Sequence, residues 1–206
     1  MIVTIDNINK LAWEKMENLI PTIVQDAATG AVLMQGFVNQ EALEQTLESG
    51  KATFFSRSKQ RLWMKGESSG NTLDVVQVLT DCDYDSVLIS ANPNGPTCHL
   101  GFESCFPEQQ LTQQNFISYL ERFIEQRKND PIEESYTARL LAKGTTKVAQ
   151  KVGEEGVEVA LAAVAETKED FLGECADLFY HTLVLLQDKG VSLAEVMAVL
   201  QKRHQK

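Results

Sequence analysis

The hydrophobic pattern of this 206-residue chain changes near residue 107, and the change restricts the folds open to it. Before residue 107, short runs of β-branched and aromatic residues alternate with turn signals, which is typical of strands. After it, apolar residues recur every three or four positions, which is typical of amphipathic helices. The sequence therefore predicts an α+β protein, with a β-rich domain over residues 1–107 followed by an all-α helical bundle over residues 112–206.

Cap and breaker residues predict several helix limits within this plan. An apolar pattern near the N-terminus predicts a helix from Ile8 to Leu19. A short linker joins the two halves and ends at Thr112, a residue type that caps helices. Thr145 or Thr146 is predicted to cap a later helix for the same reason.

Composition and charge exclude several classes of function. The net charge of −10 argues against binding to nucleic acid, which usually needs a basic surface, but local basic clusters can still hold a small anionic substrate. No apolar run approaches the roughly 20 residues needed to span a bilayer. The N-terminus MIVTIDNINK has no secretion-signal pattern, so we expect a cytoplasmic protein without a membrane partner. Thiols stay reduced there, which favours metal binding over disulfides for clustered cysteines.

Three of the four cysteines are concentrated between residues 81 and 105, in the stretch DCDYDSVLISANPNGPTCHLGFESC. Cys82, Cys98 and Cys105 would supply three thiolates and leave a fourth position for water, which is the pattern of a catalytic zinc site. Their spacing contains no CxxC pair, and three small core cysteines are an equally good interpretation. His99 follows Cys98 directly, either as a general base or as a surface histidine.

Three aspartates alternate at the start of the same stretch, at Asp81, Asp83 and Asp85. If the segment is extended, all three carboxylates point to one side and repel one another unless a cation lies among them. Oxygen ligands of this kind suit Mg²⁺. The alternative is a solvated strand end with no metal.

A polar segment precedes these motifs, SRSKQRLWMKGESSGN over residues 56–71. Its cations, small hydroxyl residues and glycines are suited to holding a phosphate through backbone N–H groups and lysine. An ordinary polar hairpin has the same composition. Trp63, within it, has two interpretations as well, stacking on a base or packing in the core.

The stretches SRSKQRLWMKGESSGN, DCDYD and GPTCHLGFESCF together resemble the phosphoribosyl-AMP cyclohydrolase family of histidine biosynthesis. The resemblance covers most of residues 20–107. It implies zinc bound by Cys82, Cys98 and Cys105, Mg²⁺ bound by Asp81, Asp83 and Asp85, and a catalytic role for His99. It also implies a homodimer with sites built across the interface, and a nucleotide substrate whose adenine ring is opened by water between N1 and C6. Substrate contacts are then expected from Arg57, Lys59, Trp63, Lys65, Gly66, Ser68, Ser69, Gly70 and Asn71.

The helical half contains two groups of acidic residues at helical spacing. The first comprises Glu154, Glu155 and Glu158, and the second comprises Glu174 and Asp177. Members three or four positions apart share a helix face, where like charges oppose each other without a counter-ion. Two packed helices would bring all five carboxylates around Mg²⁺, whereas the alternative is a solvated acidic face.

Basic residues recur every four positions just before these acids, at Arg139, Lys143, Lys147 and Lys151. A solvated helix face is the usual meaning of that spacing. Beside a Mg²⁺ site the same cations suit a triphosphate. Gly144 interrupts the series, so one straight face is not assured.

The combination of EExxE with ExxD resembles the all-α nucleotide pyrophosphohydrolases, and residues 112–206 resemble phosphoribosyl-ATP pyrophosphohydrolase more narrowly. This implies Mg²⁺ bound by the five acids and release of pyrophosphate. The two halves would then catalyse consecutive steps of histidine biosynthesis. Two other functions are consistent with the residues alone: a nucleotide-cleansing pyrophosphohydrolase that opens no ring, and a zinc-dependent interaction module fused to a helical bundle.

Overall fold

The computed structural model describes residues 1–109 and 113–204, and in this part of the chain a strand-rich region precedes a run of helices, which confirms the α+β prediction. The strands are β1 (Ile20–Asp26), β2 (Val32–Val38), β3 (Thr53–Ser56), β4 (Arg61–Met64), β5 (Leu73–Thr80) and β6 (Val87–Pro93). The helices are α1 (Gln40–Ser49), α2 (Gln113–Arg127), α3 (Tyr136–Ala142), α4 (Thr145–Ala165), α5 (Lys168–Lys189) and α6 (Leu193–His204). No helix of the described part is both long and apolar enough to cross a membrane.

The chain divides into two compact units, Met1–Asn115 and Phe116–Lys206. In the first unit, a four-stranded sheet has the order β2-β1-β6-β5, and β3 pairs with β4 in a separate sheet. Strand β1 runs antiparallel to β2 and parallel to β6, which is antiparallel to β5. Alternate residues of β1 and β6 are buried, so one face of the sheet packs on the core.

Local signals explain the limits of α1. The Asn39 side chain accepts a hydrogen bond from the Ala42 backbone N–H at 2.9 Å, which satisfies a donor in the first turn. Gly50 ends the helix in the left-handed region at φ 68°, a conformation that costs glycine little.

The predicted helix from Ile8 to Leu19 is wrong. Only Ile8–Lys10 forms a short 3-10 turn, and the following residues are mostly turns. Glu17 and Asn18 have φ values of 51° and 59°, and a right-handed helix cannot continue through them. The Trp13 indole donates to the Ile8 carbonyl at 3.0 Å, so the apolar side chains here close a compact turn rather than a helix face.

The helical unit has its own core, formed by Ile124, Leu140, Val148, Leu183 and Val184. Helix α5 begins with a capping box. Thr167 accepts a hydrogen bond from the Asp170 N–H, and the Asp170 carboxylate accepts one from the Thr167 N–H.

The predicted threonine cap of α4 is also wrong. Helix α4 begins at Thr145, and the preceding residue is Gly144 at φ 81°, with no side-chain cap bond. The chain therefore turns sharply between α3 and α4. The predicted cap at Thr112 lies outside the described residues.

Candidate active sites

A cavity of about 660 Å³ in the N-terminal unit is lined by seven of the nine substrate residues predicted for that unit, together with Cys98, His99 and Cys105. Its size suits a small-molecule ligand. The predicted residues that line it are Lys59, Trp63, Lys65, Gly66, Ser68, Ser69, Asn71, Cys98, His99 and Cys105. Arg57 and Gly70 are not among its lining residues, and the Arg57 guanidinium lies over the Phe37 ring at 3.8 Å.

The segment after β4 is folded tightly around Asn71. Gly66 has φ 86°, and a Cβ there would come within 2.5 Å of the Asn71 backbone, so only glycine fits. The Lys65 ammonium donates to the Asn71 carbonyl at 3.2 Å. This arrangement brings a cation, glycines and serine hydroxyls to the cavity wall, as binding a phosphate requires.

Two thiols lie together in the cavity wall, those of Cys98 and Cys105. Burial and the neighbouring Cys98 raise the pKa of Cys105. Burial lowers the pKa of Lys65, whose charge acts on both sulfurs. The Cys105 N–H donates to the Leu33 carbonyl at 2.8 Å, which anchors the loop to β2. Two adjacent soft donors beside a cation fit a thiolate-bound zinc.

Cys82 is not brought to those two thiols within one chain. It precedes β6 whereas Cys98 follows it, and a strand of seven residues spans about 20 Å. In the described part of the chain, the groups that could hold a metal ion do not include these cysteines. One chain therefore supplies two of the three predicted thiolates to the cavity.

The three aspartates converge, but not for the predicted reason. Residues 81–85 form a bend rather than an extended strand, with Tyr84 at φ 65° and the Asp81 Oδ1 accepting from the N–H groups of Asp85 and Ser86 at 3.1 and 3.2 Å. This turn places carboxylate oxygens of Asp81, Asp83 and Asp85 within 4.8 Å of one another. An oxygen cluster of that size suits a hard divalent cation.

Lys15 is the counter-ion of this cluster. Its Nζ lies 2.7 Å from Asp83 Oδ2 and 2.5 Å from Asp85 Oδ2. Its hydrogen bonds to the two aspartates raise the lysine pKa, and the lysine in turn lowers the pKa of Asp83.

In the helical unit, three of the five predicted carboxylates come together. Oxygens of Glu155, Glu158 and Glu174 lie within 4.8 Å of one another on the packed helices α4 and α5. Glu155 is buried, and its hydrogen bond raises the pKa of Glu158, while Lys151 lowers the pKa of Glu155. Carboxyl groups so close cannot all ionise freely, and a divalent cation would relieve their repulsion.

The other two predicted ligands lie apart from that group. Glu154 accepts a hydrogen bond from Gln150 Nε2 at 2.6 Å and forms an ion pair with Lys151 Nζ at 3.1 Å. Both interactions lower the pKa of Glu154. Asp177 is exposed.

The basic series does not form one stripe, because Gly144 separates α3 from α4. Arg139 donates to the carbonyls of Ile132 and Glu133, and Lys147 to Gln150. Lys143 is the residue after α3, whereas the Lys151 Nζ lies 2.7 Å from Glu155 Oε1. Of these four basic residues, all within the described part of the chain, only Lys151 makes an ion pair with the acidic group.

Sequence reasoning missed two buried polar residues. Thr97 lines the cavity, and its Oγ1 has no hydrogen-bond partner among the described residues. His181 is 5% exposed and contacts Glu155, although the sequence had given it no function. Its position four residues after Asp177 was the available signal, because residues at that spacing share a helix face.

Comparisons with known proteins match both halves separately and together. The family model for phosphoribosyl-AMP cyclohydrolase matches residues 34–107, and the model for phosphoribosyl-ATP pyrophosphohydrolase matches residues 117–204. The histidine biosynthesis bifunctional protein HisIE of Escherichia coli (strain K12) is 56% identical over 196 residues, which cover 95% of this chain and 96% of that protein. The protein of the same name from Yersinia pestis is 52% identical over 205 residues and covers 100% of both chains. The protein of the same name from Pasteurella multocida (strain Pm70) is 54% identical over 200 residues, which cover 96% of this chain and 100% of that protein.

Proposed function

The chain belongs to the family of histidine biosynthesis bifunctional proteins, and from the geometry of its two units we propose which residues perform each reaction. The protein is a hydrolase that catalyses two consecutive steps of histidine biosynthesis. Its C-terminal domain, proposed to span residues 112–206, converts phosphoribosyl-ATP to phosphoribosyl-AMP and pyrophosphate. Its N-terminal domain, proposed to span residues 1–107, opens the adenine ring of the product.

In the cyclohydrolase domain, Cys98 and Cys105 would hold Zn²⁺ together with Cys82 of the partner subunit. When bound, zinc would lower the pKa of its coordinated water toward about 7. His99 lies at the cavity wall next to Cys98 and is suited to move protons to and from the purine as water adds at C6 and the N1–C6 bond breaks. The charge of Lys65 partly offsets the burial that raises the pKa of Cys105.

The phosphates of the substrate would bind the polar segment over residues 56–71. Lys59, Ser68 and Ser69 line the same cavity as His99, and Trp63 presents an aromatic ring there. Trp63 also stacks on Phe54 with ring centroids 5.1 Å apart, so it contributes to the core as well as to the cavity. Asp81, Asp83 and Asp85 fit a Mg²⁺ ion through their clustered oxygens.

In the pyrophosphohydrolase domain, Glu155, Glu158 and Glu174 form the proposed centre of a Mg²⁺ site, with Glu154 and Asp177 as additional ligands. When bound, Mg²⁺ neutralises charge on the triphosphate. Lys151 is placed to exchange its carboxylate partners for phosphate oxygens once the metal is present, because its Nζ contacts Glu154 and Glu155. Arg139, Lys143 and Lys147 would contribute longer-range attraction for the same anion.

We further propose that the protein is a homodimer. The cyclohydrolase site has two thiolates from one chain and needs a third, and a two-fold dimer supplies Cys82 twice by symmetry. Helix α4 also exposes Val157, Leu161 and Val164, which are 57–84% exposed and share one helix face. An apolar face of this kind is typical of a subunit interface.

The four cysteines are free in the structure, and thiolate zinc sites need reduced thiols. This supports a cytoplasmic location. The net charge of −10 supports small-molecule substrates rather than nucleic acid.

The observation that carries this proposal is the convergence of Cys98, His99 and Cys105 with the phosphate-binding segment in one cavity. Incubation with phosphoribosyl-ATP, Mg²⁺ and Zn²⁺, followed by mass spectrometry, tests it. Loss of pyrophosphate followed by gain of one water is expected. Loss of pyrophosphate alone would contradict the assignment of the cavity.

Glu155→Gln tests the second site in the same assay. The substitution keeps the size of the side chain but removes a buried metal-binding charge, so we expect pyrophosphate release to fall by at least about 100-fold. Ring opening of added phosphoribosyl-AMP should be unchanged, because Glu155 lies in the other unit. Loss of both activities would indicate misfolding, and retention of both would contradict the assignment of the acidic group.

A further inference from the structure

His181 on α5 is the buried titratable residue that the two proposed reactions leave without a role. Its residue exposure is 5%, and it lies directly beside the acidic group of α4 and α5. A buried imidazole must satisfy both ring nitrogens by hydrogen bonds. The hydrogen-bond partners of the two ring nitrogens therefore indicate the role of His181.

The partners define its tautomer. The Nδ1 atom lies 2.9 Å from the Asp177 carbonyl oxygen, which can only accept, so Nδ1 carries the proton. In the neutral ring Nε2 is then an acceptor, and the Tyr136 hydroxyl donates to it at 2.9 Å. The imidazole is thus tied at one edge to α5 and at the other to α3.

The ring is also held from its sides. Tyr136 and Tyr180 meet it edge to face, with ring centroids 6.0 and 5.4 Å away. Tyr180 is itself fixed by a hydrogen bond of 2.6 Å between its hydroxyl and Thr137 Oγ1 on α3. Rotation of the imidazole would break several of these contacts at once.

The protonated edge of the ring faces a proposed metal ligand. Nδ1 lies 3.4 Å from Glu155 Oε1, the same oxygen that accepts from Lys151 Nζ at 2.7 Å. Glu155 is the most deeply buried of the five candidate acids, at 4% exposure, so little solvent is present to orient it. Lys151 and Glu158 hydrogen-bond to this carboxylate, and the N–H edge of His181 lies next to the same oxygen that Lys151 contacts.

We propose that Tyr136 and His181 act as a pair of positioning residues for the pyrophosphohydrolase metal site: Tyr136 fixes the imidazole, and the imidazole holds Glu155 on α4 and the Asp177 backbone on α5 in the geometry that binds Mg²⁺. The inference rests on the proposed function of this site and adds the residues that set its geometry. Outer partners of metal ligands typically change metal affinity or activity by about 10- to 100-fold when they are removed.

Two tyrosine variants test the pair against a structural role. Tyr136→Phe and Tyr180→Phe each remove one hydroxyl that bonds between α3 and α5, but only Tyr136 bonds to the imidazole. Mg²⁺ binding is measured by titration calorimetry in full-length protein that also carries Asp83→Asn, so that the N-terminal aspartates contribute little. Pyrophosphate release is measured without that background substitution.

We expect Tyr136→Phe to raise the Mg²⁺ dissociation constant and lower kcat by about tenfold or more, with little change in KM. Tyr180→Phe keeps the aromatic ring that packs against the imidazole, so it should change the Mg²⁺ dissociation constant much less than Tyr136→Phe does. Equal effects of the two variants on Mg²⁺ binding, or no effect of Tyr136→Phe, would overturn the inference.

Substitutions of the histidine give an independent readout. His181→Asn keeps an N–H donor near the position of Nδ1, whereas His181→Leu keeps only bulk. We expect the asparagine variant to retain much more of the Mg²⁺ affinity than the leucine variant. If the two are equally impaired while both remain folded by circular dichroism, His181 acts only through packing. Glu155→Gln distinguishes a failure of the proposed metal site from a failure of the positioning pair. If Glu155→Gln keeps full activity, the metal site itself is wrong. If Glu155→Gln is inactive and Tyr136→Phe is unaffected, only the positioning pair is wrong.

Discussion

At the residue scale, each acidic group contains a lysine at the position of a cation. Lys15 bridges Asp83 and Asp85, and Lys151 bridges Glu154 and Glu155. In both groups the lysine pKa is raised by the hydrogen bonds to its carboxylates. The ammonium groups offset repulsion that would otherwise oppose folding, and a divalent ion must compete with them for the same oxygens.

Lys15→Met should therefore tighten Mg²⁺ binding to the aspartates. Because these ion pairs are exposed and screened by solvent, the dissociation constant should fall by no more than about fivefold. Titration calorimetry in a Glu155→Gln background measures this binding. Lys10→Met is the control, because it changes the net charge equally and makes no ion pair with these aspartates in the described part of the chain. Weaker binding in Lys15→Met would instead mean that the lysine supports the metal site.

At the element scale, α1 and α5 follow their local signals, whereas the predicted N-terminal helix and the predicted threonine cap of α4 do not form. Asn39 and Gly50 limit α1, and Thr167 and Gly190 limit α5, as their residue types indicate. Glu17, Asn18 and Tyr84 have positive φ values although none of them is glycine, so the sequence did not predict these turns. Asn18 donates to the Trp13 carbonyl at 2.8 Å, and the Tyr84 carbonyl accepts from the Ala12 N–H at 2.9 Å, so hydrogen bonds hold both residues in the left-handed region.

Thr167→Ala should destabilise the helical unit by about 1 kcal/mol, because it removes the side-chain acceptor that caps α5. Far-ultraviolet circular dichroism during urea unfolding follows the helices. Tryptophan fluorescence follows the other unit, since Trp13 and Trp63 both lie there. Thr182→Ala is the matched control, an exposed threonine within the same helix, and should be neutral or stabilising. A shift of the fluorescence transition instead would show that the loss is not confined to α5.

At the scale of the whole molecule, the proposed zinc site is incomplete in one chain. Strand β6 separates Cys82 from Cys98, and the order β2-β1-β6-β5 leaves the two loops at opposite ends of that strand. The proposed two-fold dimer would resolve this, because each cavity would then receive Cys82 from the other subunit.

Mixing two inactive variants tests that arrangement. Cys82→Ala and Cys98→Ala should each lose zinc and ring opening. After unfolding and refolding together, half of the dimers are mixed, and each mixed dimer has one intact site, so about a quarter of the wild-type ring-opening activity should return. Zinc content, measured by atomic absorption, should recover in parallel. Pyrophosphate release by either variant alone serves as the control for folding. No recovery in a mixture shown to exchange subunits would contradict a shared site.

The sequence by itself determined the features that depend on near neighbours along the chain. The change of pattern near residue 107 and the collection of sulfur and carboxylate ligands between residues 81 and 105 were both readable from it. Periodicity and capping act over three or four residues, so they survive without knowledge of the fold.

Tertiary structure alone decided how those residues meet. It folded Asp81, Asp83 and Asp85 together through a turn rather than a strand, kept Cys82 away from Cys98, and buried His181 against Glu155. These outcomes depend on which strands pair and on where each buried polar atom finds its partner. The strand pairing, the contact of Lys15 with Asp83 and Asp85, and the contact of His181 with Glu155 join residues far apart in sequence, so no local pattern predicts them.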